Sequence, residues 1–222
     1  MNLVKALRLG KDTILAAVGS GGKTTLLFQL ARMMDPPVIV TATTHLHVDQ
    51  IKLADRHFIM EKIEDLDQLR PVRSDILLIT GPLHGDRTTG IPPTCLNKIK
   101  DFCISNRLPL LIEADGSRQH PLKAPASHEP VIPGFVTDTV VCVGMQGVGK
   151  PMSPTTIHRS EIFSRLADSP SGAIVTPAIL ARVLLHPQGG LKRIPASSRR
   201  IVLLNQVDSP TLLEMAKTLS LH

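Results

Sequence analysis

Val18-Gly19-Ser20-Gly21-Gly22-Lys23-Thr24-Thr25 is the stretch on which the reading of this chain turns. It follows an apolar run, Thr13–Val18, and leads into a helix-like segment, Lys23–Met34. A phosphate group needs several donors at close range, and glycines let backbone N–H groups curl toward it without a Cβ in the way. The helix N-terminus adds partial positive charge. Gly19, Ser20, Gly21, Gly22, Lys23, Thr24 and Thr25 are therefore expected to hold a nucleoside triphosphate, GTP or ATP. Lys23 would reach its β- and γ-phosphates, and the Thr24 hydroxyl would face Mg2+. The usual spacing puts a glycine at position 17, where this chain has Ala17; the order of strand, glycine loop and helix is kept.

Outward from this P-loop, short runs of Val, Ile and Leu alternate with helical patterns. Strands are expected at Thr13–Val18, Val38–Thr41, Asp75–Thr80, Leu110–Glu113, Thr139–Gly144, Ala173–Thr176 and Ile201–Asn205. Bare apolar runs suit strands covered on both faces, as in a parallel sheet. Helices are expected at Lys23–Met34, Thr94–Asn106, Arg159–Ala167, Pro177–Leu185 and Pro210–Leu219. The first should stop before Asp35-Pro36-Pro37, and Ser209 should cap the last. The order predicts one α/β domain over residues 1–222, with a three-layer P-loop NTPase-like fold and a mostly parallel sheet. Gly81–Pro93, Asp115–Gly134 and Gly144–Thr156 follow strands and would gather at their carboxyl ends.

Leu110-Leu-Ile-Glu113-Ala-Asp115-Gly116 ends an apolar strand in acids. A buried carboxylate is costly unless it is paired. Glu113 and Asp115 are expected to hold Mg2+ or orient water, forming the catalytic set with Lys23. Asp-Gly is also a common turn pair. Arg118 and Lys123 follow as candidates to neutralise an acidic substrate or partner, and Thr43 and Thr44 lie at the end of the second strand. In Leu204-Asn205-Gln206-Val207-Asp208, Asn205 and Asp208 match Asn-x-x-Asp, in which an Asp accepts from guanine N1–H and N2–H2. The plain alternative is a strand end with an Asx turn. His45 and His47 read more readily as surface residues than as half of a metal site, and Arg159 as a helix-start residue. Gly144-Met-Gln-Gly-Val-Gly149-Lys150-Pro151 has similar spacing, but Pro151 replaces the hydroxyl residue and removes an N–H, so a flexible loop is expected.

The 222 residues carry 25 Lys+Arg against 19 Asp+Glu, a net charge of +6 that suits anionic ligands. With five Phe, no Tyr and no Trp, the chain offers little to stack on nucleic-acid bases. Three widely spaced cysteines argue against a disulfide framework or a Cys-rich zinc site. No apolar stretch approaches the ~20 residues of a membrane span. These features predict a soluble cytoplasmic protein.

The chain resembles the selenium-dependent hydroxylase accessory protein family, of YqeC type. The residues carrying the resemblance are Val18–Thr25, Thr41-Ala-Thr-Thr44, Glu113-Ala-Asp-Gly-Ser-Arg118, Pro121-Leu-Lys-Ala-Pro125, His128-Glu-Pro130, Gly149-Lys-Pro151, His158-Arg159 and Leu204–Asp208. A departure is Ala42, where another threonine is expected. The resemblance implies a P-loop NTPase fold and a role in maturing selenium-dependent molybdenum hydroxylases. The expected partners are nucleotide and a client hydroxylase or cofactor-synthesis enzyme, with a homodimer as a further state; membrane and nucleic acid are not expected. The short stretch after Asp208 predicts no fused transferase domain. The leading expectation is a Mg2+-dependent NTPase, GTP favoured over ATP, acting as a switch. Its rivals are a small-molecule kinase or ligase and a non-hydrolysing nucleotide-binding module.

Overall fold

The computed structural model describes residues 2–34, 36–69 and 75–221. Its strands are β1 (Ile14–Gly19), β2 (Val38–Ala42), β3 (Arg56–Ile59), β4 (Ile76–Thr80), β5 (Leu83–His84), β6 (Arg87–Thr88), β7 (Leu110–Glu113), β8 (Leu122–Lys123), β9 (Asp138–Gly144), β10 (Ile157–His158) and β11 (Arg199–Asn205). Its helices are α1 (Leu3–Ala6), α2 (Lys23–Met33), α3 (Val48–Ile51), α4 (Pro93–Asn106), α5 (Ser160–Ala167), α6 (Pro177–Leu185) and α7 (Pro210–Leu219). Seven parallel strands form the main sheet in the order β11-β9-β1-β7-β2-β4-β3, with helices flanking it. This is the expected α/β class. By its contacts the chain divides into two compact units.

The first unit holds Thr24–Ala114 and Phe135–Asp138 with the segment before Val18. Here β7 lies between β1 and β2, with Ala17 and Ala42 both in register with Glu113. Every residue of β2, β4 and β7 is buried, which is why these strands read as bare apolar runs. Helix α4 starts on Pro93 and buries Cys95, Leu96, Ile99 and Cys103, a stripe at helical spacing. Burial pushes the Cys103 thiol up to about 12, so it stays protonated. Asp35, expected to help stop α2, lies outside the described residues. Strand β3 was not expected: Arg-His-Phe-Ile is half-exposed at the sheet edge and has no apolar run.

The second unit holds Val18–Lys23, Asp115–Gly134 and the chain from Thr139 onward. Strand β9 is buried throughout, whereas β11 is partly exposed along its length. Thr176 caps α6 by accepting from Ile179 N–H, and Ser209 caps α7 by accepting from Leu212 N–H. The short strands β8 and β10 pair in parallel, Leu122 with Ile157 and Lys123 with His158.

Three local expectations are corrected in this unit. Ala173–Thr176 is not a strand; it makes one isolated bridge, Ile174 to Pro151. The Gly144–Thr156 loop is correspondingly tied down, because Gly149 N–H donates to Val175 O, Val175 N–H to Lys150 O and Met152 N–H to Ala173 O. Helix α5 begins at Ser160, and Arg159 stands outside it at φ +62°. Among the described residues, no helix is long and apolar enough to cross a membrane.

Candidate functional site

The glycine loop of the second unit takes the backbone shape its sequence requires. Gly19, Gly21 and Gly22 have φ of +91°, +78° and +111°, a region that L side chains rarely adopt. Space adds a second constraint: a Cβ on Gly21 would lie 2.3 Å from Gly144 Cα. The loop is anchored from several sides. Ser20 N–H donates to Cys142 O and its hydroxyl to Pro121 O, both at 2.9 Å. Asn205 donates from Nδ2 to Gly21 O at 2.8 Å. The N–H groups of Gly21 and Gly22 take no part in these bonds.

Lys23 is buried. Its ammonium donates to Gly19 O at 2.9 Å and to Ser117 Oγ at 3.3 Å, and stands 3.3 Å from Asp115 Oδ1. Asp115 accepts at Oδ2 from Gly19 N–H (3.0 Å) and from Lys123 (2.7 Å). An ion chain continues from there. Lys123 also donates to Gly116 O at 2.7 Å and lies 3.1 Å from Glu129 Oε2, so three protein acceptors take its three protons. Arg159 grips both oxygens of Glu129, at 2.7 and 2.8 Å. Burial alone would raise the Glu129 carboxyl, but Arg159 and Lys123 overcome it and hold the group down at about 2.

The first unit contains a separate polar string. Thr24 Oγ1 donates to Glu113 Oε2 at 2.6 Å and accepts from Gln50 Nε2 at 2.7 Å. Gln50 Oε1 in turn accepts from His47 N–H at 2.8 Å, as part of the box that caps α3. Thr43 N–H donates to Glu113 O at 2.9 Å. A threonine hydroxyl and a carboxylate oxygen in contact are hard oxygen donors, the kind that suits Mg2+.

The expected residues thus fall into two sets. Gly19, Ser20, Gly21, Gly22, Lys23, Asp115, Lys123 and Asn205 share one network in the second unit. Thr24, Glu113 and Thr43 share another in the first, while Thr25 is exposed and Thr44 half-buried. Asn205 grips the loop with its amide nitrogen. Asp208 is exposed and accepts from Gln146 Nε2 at 2.8 Å. Arg118 is exposed at φ +48°. His45 and His47 do not form a metal pair: His45 Nδ1 bonds Thr88 O, and His47 caps α3. Among the described residues, no group of three or more His, Cys, Asp or Glu is placed to hold a metal. Sequence reasoning gave no roles to Gln50 and Glu129, and took Arg159 for a helix start. His47 and Gln50, three apart, were the local signal for the α3 cap; nothing local marked the contact to Thr24.

Comparison with known proteins gives a consistent result. The model of a family described as YqeC protein matches residues 15–161, which includes the glycine loop, the acidic strand end and Arg159. The protein YqeC of Escherichia coli (strain K12), itself described as uncharacterized, is 29% identical over 210 residues, covering 88% of this chain and 77% of its own length. No solved structure matches.

Proposed function

From the premise that the chain belongs to the YqeC family, we propose that it is a P-loop protein that binds a nucleoside triphosphate with Mg2+ and hydrolyses it. The observation carrying this reading is the loop itself, three glycines at positive φ leading to Lys23 at the first turn of α2. That shape turns backbone donors and a helix N-terminus toward a polyanion. On binding, the Lys23 ammonium exchanges Gly19 O and Asp115 for phosphate oxygens. Thr24 and Glu113 are the residues that would hold Mg2+. When bound, the ion would neutralise charge on the phosphates. Asp115, wrapped by two lysines and Gly19 N–H, acts as a positioning group for the loop.

For the base we propose guanine over adenine, read by Asp208, whose carboxylate is exposed. Asn205 supports this by fixing Gly21. The cellular role, an accessory factor in maturing selenium-dependent molybdenum hydroxylases in the cytoplasm, is supported by the family resemblance. A second reading, phosphoryl transfer to an acidic acceptor, is favoured by Arg118 and the cations around it. Product analysis separates the two: free phosphate supports hydrolysis, and a phosphorylated acceptor supports transfer.

The deciding experiment is calorimetric titration with GTP, ATP and their diphosphates, with and without Mg2+. The expected result is a preference for triphosphate of about tenfold or more with Mg2+, and tighter binding of GTP than ATP. Asp208→Ala should remove the base preference while leaving triphosphate binding. Absence of binding at millimolar nucleotide would overturn the nucleotide reading.

A further inference from the structure

The Gly116–Pro130 segment of the second unit gathers more positive charge than its acids cancel. Lys192 donates to Ala126 O at 2.6 Å and Arg193 to His128 O at 2.8 Å. Carbonyl oxygens satisfy such donors without cancelling their charge. Arg118 is exposed and makes no ion pair among the described residues. With Lys23 matched to Asp115, five cations (Arg118, Lys123, Arg159, Lys192 and Arg193) share one further acid, Glu129.

Two observations focus this charge on one place. His158, in register with Lys123, is half-buried, and its ring centre lies 5.9 Å from that of His120. Neither ring nitrogen of His158 has a hydrogen-bond partner among the described residues. The backbone around it is strained: Arg118, Gln119 and Arg159 have φ of +48°, +64° and +62°. Side-chain-bearing residues hold such angles at a cost, and they gather at ligand sites. His120 is itself pinned, with Nε2 bonded to Pro154 O at 2.8 Å and Nδ1 within reach of Arg118 O.

We propose that Arg118 and His158, backed by Arg159, form a binding site for a small oxyanion carried by a second, non-nucleotide ligand. The Arg118 guanidinium offers a planar fork that matches two oxygens of a phosphate or carboxylate. The imidazole supplies one further N–H. Burial, then Arg159, Lys123 and Arg118, hold His158 down at about 4 against the opposing pull of Glu129, so the ring is neutral at pH 7. A bound anion adds the negative charge this cluster lacks and raises that value. The cations converge on one imidazole, which suits a compact anion rather than an extended acidic surface. The site uses none of Gly19–Thr25, and it stands whether or not the glycine loop binds nucleotide.

The test is an NMR titration of the histidine ring signals with inorganic phosphate, in wild type and in Lys23→Met, with chloride at matched ionic strength as control. His158→Gln assigns the signal. The expected result is a saturable shift of His158 in both proteins. Phosphate should also raise the His158 titration midpoint by about one pH unit, and Arg118→Gln should weaken phosphate about tenfold. Should Lys23→Met not fold, the Arg118→Gln comparison in otherwise wild-type protein decides. A shift that vanishes in folded Lys23→Met, that Arg118→Gln leaves intact, or that chloride reproduces would overturn the proposal.

Discussion

Two segments of the second unit carry Gly-Lys after a buried strand, and they do different things. Gly19–Lys23 follows β1 and opens α2, with Lys23 buried against Asp115. Gly144–Lys150 follows β9 and becomes a single 3-10 turn, Met145–Gly147, with Lys150 exposed. The difference lies in what the backbone donors have left to do. In the second segment, Gly149 and Met152 N–H groups are taken by Val175 and Ala173 carbonyls, and Pro151 has none to give. Glycine and lysine at suitable spacing make a phosphate loop only where a helix begins directly behind them.

The largest effect should come from exchanging the two lysines' roles by deletion. Lys23→Met should lower triphosphate affinity about 100-fold or more, and Lys150→Met should change it by less than about twofold. Equal losses in the two variants, read by calorimetry, would erase the distinction drawn here. Next in size is the pair of glycines. Gly21→Ala places a Cβ 2.3 Å from Gly144 Cα at φ +78°, and should cost about 3 kcal/mol or more in urea unfolding. Gly149→Ala, at φ +80° with nothing nearer than Met215 Cε at 3.9 Å, should cost only about 1 kcal/mol.

The smallest effect probes the ion chain that backs the first loop. Folding holds the Glu129 carboxyl at about 2, against 4.5 for a free glutamate. The unfolded chain therefore binds the extra proton as the pH falls. The stability Glu129 contributes is complete above about pH 4.5 and drains away as the pH drops toward 2. Glu129→Gln should flatten the unfolding midpoint over that window. His158 shows the same sign: its stabilising share is complete above about 6.5 and lost toward 4. His158→Gln should flatten the part of the profile between those values.

Much of the fold could be read from local pattern. Six of the seven expected strands are present, because strands buried on both faces must be apolar at nearly every position. The five longer helices appear within a residue of their expected bounds, since capping residues and prolines act locally. The misses have tertiary causes. Strand β3 is an edge strand whose half-exposed residues need no apolar run, and Ala173–Thr176 spends its backbone on the Lys150–Met152 turn. In the site, Gly19, Gly21, Gly22 and Lys23 were legible because conformational need is written in residue type. The bond from Asn205 to Gly21, Lys123's place between Asp115 and Glu129, and the Gln50–Thr24 contact were not.

By itself, then, the amino-acid order settled where strands and helices begin, that the sheet is parallel, and where a glycine-lined bend precedes a helix. Those are consequences of burial and torsion, which act over a few residues. Only the folded molecule decided that Lys23 rests on Asp115, that Lys123 faces inward, and that Arg159 grips Glu129. Such pairings join groups far apart in the chain, and their energies depend on distances and burial that no local pattern encodes.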